Sequence, residues 1–322
     1  MVVEHLRELV SEHFEAVNAL MIEKLKSPVQ LIEDVSNHAI QSGGKRLRPL
    51  LVLLSSQACN YKGKDHIKLA AMIEFFHTAT LLHDDVIDES TLRRGRETTN
   101  HIWGNKISIL VGDYLFTKYL QLMVEVGDID VIELLIDIAP QMGSGEIQEL
   151  SNRHNSNLTM SEYFDTIRAK TSLLFAAATS IGAIISKTDS LVQKGLYNYG
   201  LHLGNAFQIT DDVLDYCSDS KTFGKNIGAD LIDGKITLPL LYALKVGTKK
   251  QQEKIRESIE QCTHDHLPEI LETMVETKAI EYARGVAATE IDYALSALQI
   301  LPDSKYKNAL VELAHYVVHR SY

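Results

Sequence analysis

Two short acidic runs with the same spacing occur in this 322-residue chain: DDVID, with Asp84, Asp85 and Asp88, and DDVLD, with Asp211, Asp212 and Asp215. In each, the first and last aspartates stand at i and i+4, so on a helix both carboxylates share one face about a turn apart. The preceding segments, IKLAAMIEFFHTATLL and LYNYGLHLGNAFQIT, repeat apolar or small residues at helical spacing. Like charges so placed repel, and a clustered set on an apolar helix calls for a compensating cation. Carboxylate oxygens with room left for water and phosphate oxygens suit Mg²⁺ bound together with a phosphorylated substrate. One acidic run alone is ordinarily a solvated face; two copies, neither with a lysine inside, point to a site. Calcium loops are excluded, because neither run alternates its aspartates around a central glycine with a closing glutamate.

Cations follow each run. STLRRGRETTN carries Arg93, Arg94 and Arg96, and SDSKTFGKNIGADLIDGK carries Lys221, Lys225 and Lys235. A third basic segment, QSGGKRLRPL, holds Lys45, Arg46 and Arg48; Gly43 and Gly44 would end one helix there, and Pro49 suits the first turn of the next. Free backbone donors at that helix start favour a phosphate. The net charge is −11, so local basic segments chained to acidic ones speak for small anionic ligands beside metal and against nucleic acid.

The elements that must position these groups are helices. Long stretches such as HLRELVSEHFEAVNALMIEKL show helical periodicity, strand-like alternation is nearly absent, and no Pro, Gly or Ser-rich linker divides the chain. The expectation is an all-α protein whose residues 1–322 form a single domain. The longest apolar segment, Leu173–Ile185, is short for a membrane span, and the charged N-terminus does not resemble a signal peptide, which predicts a cytoplasmic location. Cys59, Cys217 and Cys262 are too scattered for a disulfide or zinc site.

GGKRLRP, LLHDDVIDESTLRRG, KTSLLF, QITDDVLDY and GKNIGADLIDGK occur in the order and approximate spacing of the trans-prenyltransferases, the trans-isoprenyl diphosphate synthases, which this chain resembles over much of its length. The resemblance implies an isoprenoid-synthase-type helical bundle around a central substrate cavity, Mg²⁺ as cofactor, and a homodimer. Its substrates would be isopentenyl diphosphate and an allylic diphosphate, farnesyl diphosphate first among them. The product would be a long all-trans chain of the kind attached to quinones, released with peripheral membrane contact. Asp84, Asp88 and Asp211 would hold metal, with Asp85, Asp212 and Asp215 ligating or supporting. Arg93, Lys225 and Lys235 would bind the allylic diphosphate, and Lys45, Arg48, His77 and Arg94 the diphosphate of the other substrate. Lys170, Thr171 and Gln208 would lie near the reacting carbons.

The residues alone leave alternatives open: His77 could be a core histidine, Gln208 a local helix partner of the second run, and Thr171 a packing residue. Chain length has its own candidates. An isoprene unit is about one helical turn long, about 5 Å, so a tail running back along the helix from Asp84 is measured against its side chains. Ala79 and Thr80 are small where short-chain members place aromatics, and Phe76, one turn further back, could form part of the floor. A shorter-chain synthase, a terpene cyclase and a non-catalytic partner subunit are the rival readings. The intact second run and GGKRLRP count against the last two.

Overall fold

Helical periodicity is realised almost throughout, so the expected all-α class holds. The computed structural model describes residues 2–42, 44–217, 228–263 and 265–320; Gly43, Lys221 and Lys225, named above, lie outside the described residues. These fall into two compact units. One comprises Met1–Leu135, Ala177–Tyr197 and Leu298–Leu313; the other comprises Ile136–Ala176, Asn198–Ala297 and Ala314–Tyr322.

In the first unit, α1 (Val2–Glu8), α2 (Ser11–Leu25), α3 (Gln30–Gln41) and α4 (Leu47–Ala58) precede the long α5 (Asp65–Ile87). A short ribbon, β1 (Leu92–Arg93) with β2 (Arg96–Glu97), leads to α6 (Thr99–Trp103) and α7 (Asn105–Val126). α5 packs along α7, with α2 and α4 against it. Leu50, Leu51, Leu53, Leu54, Leu69 and Phe75 are completely buried there. α4 begins with Pro49 in its first turn, where a missing N–H costs no helical bond. Arg46, just before it, takes a left-handed conformation with φ +41°.

Among the described residues α7, not Leu173–Ile185, is the one helix long and apolar enough to cross a bilayer by length and composition. It also packs along α5, as a core helix does, yet it leaves Ile109, Leu110, Phe116, Leu120 and Val124 exposed.

The second unit takes its residues from α8 (Ile129–Asn152), α9 (Met160–Ile167), α10 (Leu173–Ile185) and α11 (Ser190–Cys217), followed by α12 (Ala229–Ile232), α13 (Leu238–Val246), α14 (Lys249–Gln261), α15 (Leu267–Glu276), α16 (Ala279–Ala297) and α17 (Lys305–His319). Thr159 and Thr248 start α9 and α14 with reciprocal capping boxes to Glu162 and Gln251. Ile209, Val213, Leu240, Leu241, Ile255 and Ile270 belong to one buried cluster.

Close helix contact in the first unit depends on Gly182 of α10. A Cβ there would lie 2.3 Å from Ser55 Oγ and 2.5 Å from the Ser56 backbone nitrogen of α4. Backbone cannot swing aside as a side chain can, so Gly182→Ala is expected to destabilise the protein by about 1–3 kcal/mol. Urea unfolding with an unchanged m value would register it.

Candidate active site

Of the first acidic run, Asp84 and Asp85 occupy the last turn of α5, and Asp88 caps its end. The shared helical face expected for Asp84 and Asp88 is therefore cut short: Asp88 still donates its N–H to Asp84 O at 2.8 Å, but the helix goes no further. The turn after it is tied down by Asn100, whose Nδ2 donates to the carbonyls of Asp85 and Ser90. Ser90 O also accepts from Thr98 Oγ1. The ribbon then reverses the chain at Arg94 and Gly95, both at positive φ (+53° and +74°), the requirement of a two-residue hairpin turn that matches strand twist. This reversal brings Arg93 Nε to 2.8 Å from Asp85 Oδ1. Asp85 is only 4 % exposed, and a carboxylate so enclosed needs such a partner.

The first unit also gathers the cations assigned to the second substrate. The Arg94 guanidinium lies against the Gly44 backbone. Lys45 O accepts from Arg7 of α1. Arg48 Nη1 donates to His77 Nε2 at 3.0 Å, which requires that nitrogen to be unprotonated. Burial, then the charges of Arg48, Arg94 and Arg93, hold the His77 imidazolium well below the ordinary histidine range. Burial raises the Glu74 carboxyl, against the pull of Arg46, Arg48, Arg94 and Arg7. Cations of the QSGGKRLRPL and STLRRGRETTN segments thus gather around Glu74 and His77 of α5, three turns and less from Asp84. On the same helix Ala79 is buried, and Thr80 turns its hydroxyl back to His77 O. Phe76 packs on Tyr119 of α7, ring centroids 4.9 Å apart.

In the second unit all three aspartates of the second run lie within α11. The middle one is again the enclosed one. Asp212 is 3 % exposed; Oδ2 accepts from Tyr163 OH at 2.5 Å and Oδ1 from Gln208 Nε2 at 2.9 Å. Gln208 Oε1 accepts from Thr171 Oγ1 at 2.8 Å, so two of the three candidates, Thr171 and Gln208, form one chain with Asp212. Burial, then the charge of Asp230, hold the Asp212 carboxyl well above the usual range. Asp215 Oδ2 accepts from the backbone N–H of Asp230 at the start of α12. Asp211 Oδ1 lies 2.7 Å from Arg320 Nη2, and the Arg320 guanidinium stacks 3.8 Å over the Phe207 ring. Lys170 Nζ is 2.8 Å from both Glu146 and Glu149, and Lys235 Nζ is 3.5 Å from Glu149.

Sequence reasoning passed over Tyr163, Glu146, Glu149, Asp230 and Arg320. Asp230 stands in GADLIDGK beside Lys235 and so has a local signal; the others have none. Among the described residues no three His, Cys, Asp or Glu side chains are already arranged as a metal-binding set. The donors are nonetheless hard oxygens throughout. A carboxyl pushed toward protonation by a second carboxylate is the response of acidic groups that a divalent cation would relieve. This donor set fits Mg²⁺ completed by phosphate oxygens.

The Polyprenyl synthetase family profile matches residues 29–274. The chain is 43% identical to octaprenyl diphosphate synthase of Escherichia coli strain K12 over 321 residues, covering 99% of each. Its fold superposes on a decaprenyl diphosphate synthase from Rhodobacter capsulatus with TM-score 0.94 and 40% identity, over 99% of both chains. It also superposes on a polyprenyl synthase from Caulobacter crescentus CB15, complexed with calcium and isoprenyl diphosphate, with TM-score 0.95 and 38% identity, over 99% and 98%. The chain belongs to the polyprenyl synthetase family of trans-prenyltransferases.

His77 supplies a test of the cationic site. Its folded pKa lies below the value of about 6.5 expected in the unfolded chain, so its contribution to stability is complete above that pH and is lost as pH falls below it. Comparing urea midpoints at pH 7.5 and 5.5, wild type is expected to lose more stability than His77→Gln. An imidazole-resolved NMR titration should find His77 neutral at pH 6.5, where an ordinary histidine is about half protonated.

Proposed function

We propose that this protein is a divalent-metal-dependent, chain-elongating trans-prenyltransferase that condenses isopentenyl diphosphate with an allylic diphosphate, farnesyl diphosphate first among them, to a product of about eight isoprene units. Full-length identity to an octaprenyl diphosphate synthase is the single observation that carries this reading. The donor chemistry of the two aspartate runs supports Mg²⁺ as the metal, and calcium with isoprenyl diphosphate in the Caulobacter protein supports a divalent ion. Asp84, Asp88 and Asp211 are the assigned ligands, with Asp85, Asp212 and Asp215 ligating or supporting. These carboxylates would hold the ion, whose chemistry there would be charge stabilisation of a diphosphate leaving group.

The rest is the work of side chains. Arg48, Lys45 and Arg94 grip the diphosphate of isopentenyl diphosphate, and a neutral His77 fixes the Arg48 guanidinium by accepting its N–H; arginine suits a site with no metal because it binds phosphate through two parallel donors. Arg93, Lys225 and Lys235 hold the allylic diphosphate, and Lys170 faces its leaving oxygens. The allylic C–O bond breaks, the double bond of isopentenyl diphosphate forms the new C–C bond, and a proton leaves to the released diphosphate. No protein nucleophile is needed. Thr171 and Gln208, already hydrogen-bonded to each other, offer oxygen dipoles to the carbocation, and exclusion of water prevents its capture as an alcohol.

The exposed apolar side chains of α7 support a second copy of the chain as partner. A cytoplasmic location, with product passed to a membrane by peripheral contact, suits a chain that makes a water-insoluble tail from soluble diphosphates.

The direct test is incubation with farnesyl diphosphate, labelled isopentenyl diphosphate and Mg²⁺, with products sized by mass; products of about eight units are expected. EDTA should abolish turnover and Mg²⁺ restore it. Asp84→Ala and Asp211→Ala are each expected to cost on the order of a thousandfold or more in kcat. Near wild-type rates in either would remove that run from the metal site. Ala79→Tyr is expected to shorten the product sharply while the protein still consumes the allylic substrate; unchanged product length would show that the tail does not pass Ala79.

A further inference from the structure

The segment that carries Lys170 and Thr171 is not α-helical. Arg168–Ser172 form a single π turn between α9 and α10. Such a turn inserts one residue, re-aims the side chains it carries and recurs at functional sites. Its hydrogen bonding is poorer than that of the helix it interrupts, so neighbouring structure must hold it.

α11 does this with one face. A Cβ on Gly204 would lie 2.5 Å from Ser172 Cα, so the π turn rests on α11 at a point where only glycine leaves room. Ser172 Oγ donates to Asn205 Oδ1 at 2.6 Å, and Thr171 Oγ1 donates to Gln208 three residues on. Ser172 and Asn205 are both buried.

Asn205 can serve in only one orientation of its amide. With Oδ1 toward Ser172, its Nδ2 donates to Glu290 Oε2 at 2.9 Å. The same carboxylate oxygen accepts from His202 Nδ1 at 2.7 Å, and the His202 ring packs on Tyr293 of α16. A carboxylate only accepts, so were the amide reversed, oxygen would face oxygen at Glu290, and Ser172 Oγ, which also lies 3.3 Å from Ile167 O, would lose its 2.6 Å bond to Asn205 Oδ1. The acid therefore selects the amide orientation, and the amide orientation holds the serine.

We infer that Glu290 is a positioning residue for the prenyl transfer: acting through Asn205 and Ser172, it fixes the π turn that presents Lys170 and Thr171. This rests on the roles assigned above to those two residues. Glu290 lies beyond residue 274, where the family match ends, and in no motif of the sequence.

The test uses Glu290→Leu, Glu290→Gln, Ser172→Ala and the Glu290→Leu/Ser172→Ala double variant of the full chain, assayed with farnesyl and isopentenyl diphosphates. Glu290→Leu is expected to lower kcat about ten- to hundredfold, the order of loss from a small misplacement of reacting groups. The KM for isopentenyl diphosphate should stay within about twofold, because the cations assigned to its diphosphate are left in place. Glu290→Gln, whose amide oxygen still accepts from Asn205, should recover most of the rate. Ser172→Ala should fall by a similar factor, and the double variant should be no slower than the slower single one, because both break the same chain. Amide exchange across 168–172 should quicken in Glu290→Leu while α9 stays protected. Wild-type kcat in folded Glu290→Leu or Ser172→Ala, or multiplying defects in the double variant, would overturn the inference. If Glu290→Leu does not fold, Ser172→Ala and Glu290→Gln decide it. Wild-type protein that fails to elongate would sink the proposed function instead, and the exchange measurement would still decide whether Glu290 holds the turn.

Discussion

A carboxylate removed from water must be met by opposite charge or by donors, and in the second unit the architecture around α11 follows from meeting that demand at Asp212. The phenol of Tyr163 and the amide of Gln208 take its two oxygens. Neither neutralises it. Asp230, close enough to raise its proton affinity further, makes the strain electrostatic as well as solvational. A buried acidic group in this condition stabilises little by itself, and a nearby cation would offset the burial and the repulsion that disfavour its charge. Because Gln208 is committed to Asp212 through its amide nitrogen, its oxygen is left for Thr171, and the orientation of the second run is thereby transmitted to the π turn.

The first run satisfies the same demand differently. Asp85 sits at a helix end and is met by a full positive charge, Arg93, delivered by a two-residue hairpin. That solution depends on backbone: the positive φ of Arg94 and Gly95 turns the chain, and Asn100 anchors the connection to the carbonyl of Asp85 itself. Arg93 cannot be assigned to a substrate alone, for it is already the counter-ion of a buried carboxylate of the first acidic run. A guanidinium with several donors can serve both, holding Asp85 with Nε while its remaining N–H groups stay suited to phosphate.

Local pattern revealed most of the fold and marked out the candidate site residues, because helical periodicity and charge spacing are short-range properties. The helix through Asp84, the break before Leu47 and the juxtaposition of His77 with Asp84 on one element were all legible. The partners that give those residues their state were not. Tyr163 is separated from Asp212 by 49 positions, and Arg320 from Asp211 by 109; no spacing rule connects them. Lys170 was legible as a cation, but its two glutamates, on α8, were not. The end of α5 at Asp88 was missed because the i,i+4 argument presumes that the helix continues, and nothing in DDVIDES marks a stop as glycine or proline would.

Two copies of one five-residue pattern therefore carry different physics. At the end of α5 the middle aspartate is neutralised by a guanidinium within the chain; inside α11 its counterpart receives only neutral donors and faces another acid. At its middle position the second run accordingly has the greater demand for positive charge, although the sequences DDVID and DDVLD differ only in the place of one methyl branch. Arg320 addresses part of it at Asp211, from a guanidinium largely enclosed against Phe207, with its side chain 7% exposed. Arg320 directly follows α17, whereas Arg93 belongs to the hairpin ribbon. The same five-residue spacing therefore meets a guanidinium at its middle aspartate in one copy and at its first aspartate in the other, which is why the apparent symmetry of the motif is a poor guide to the electrostatics of each run.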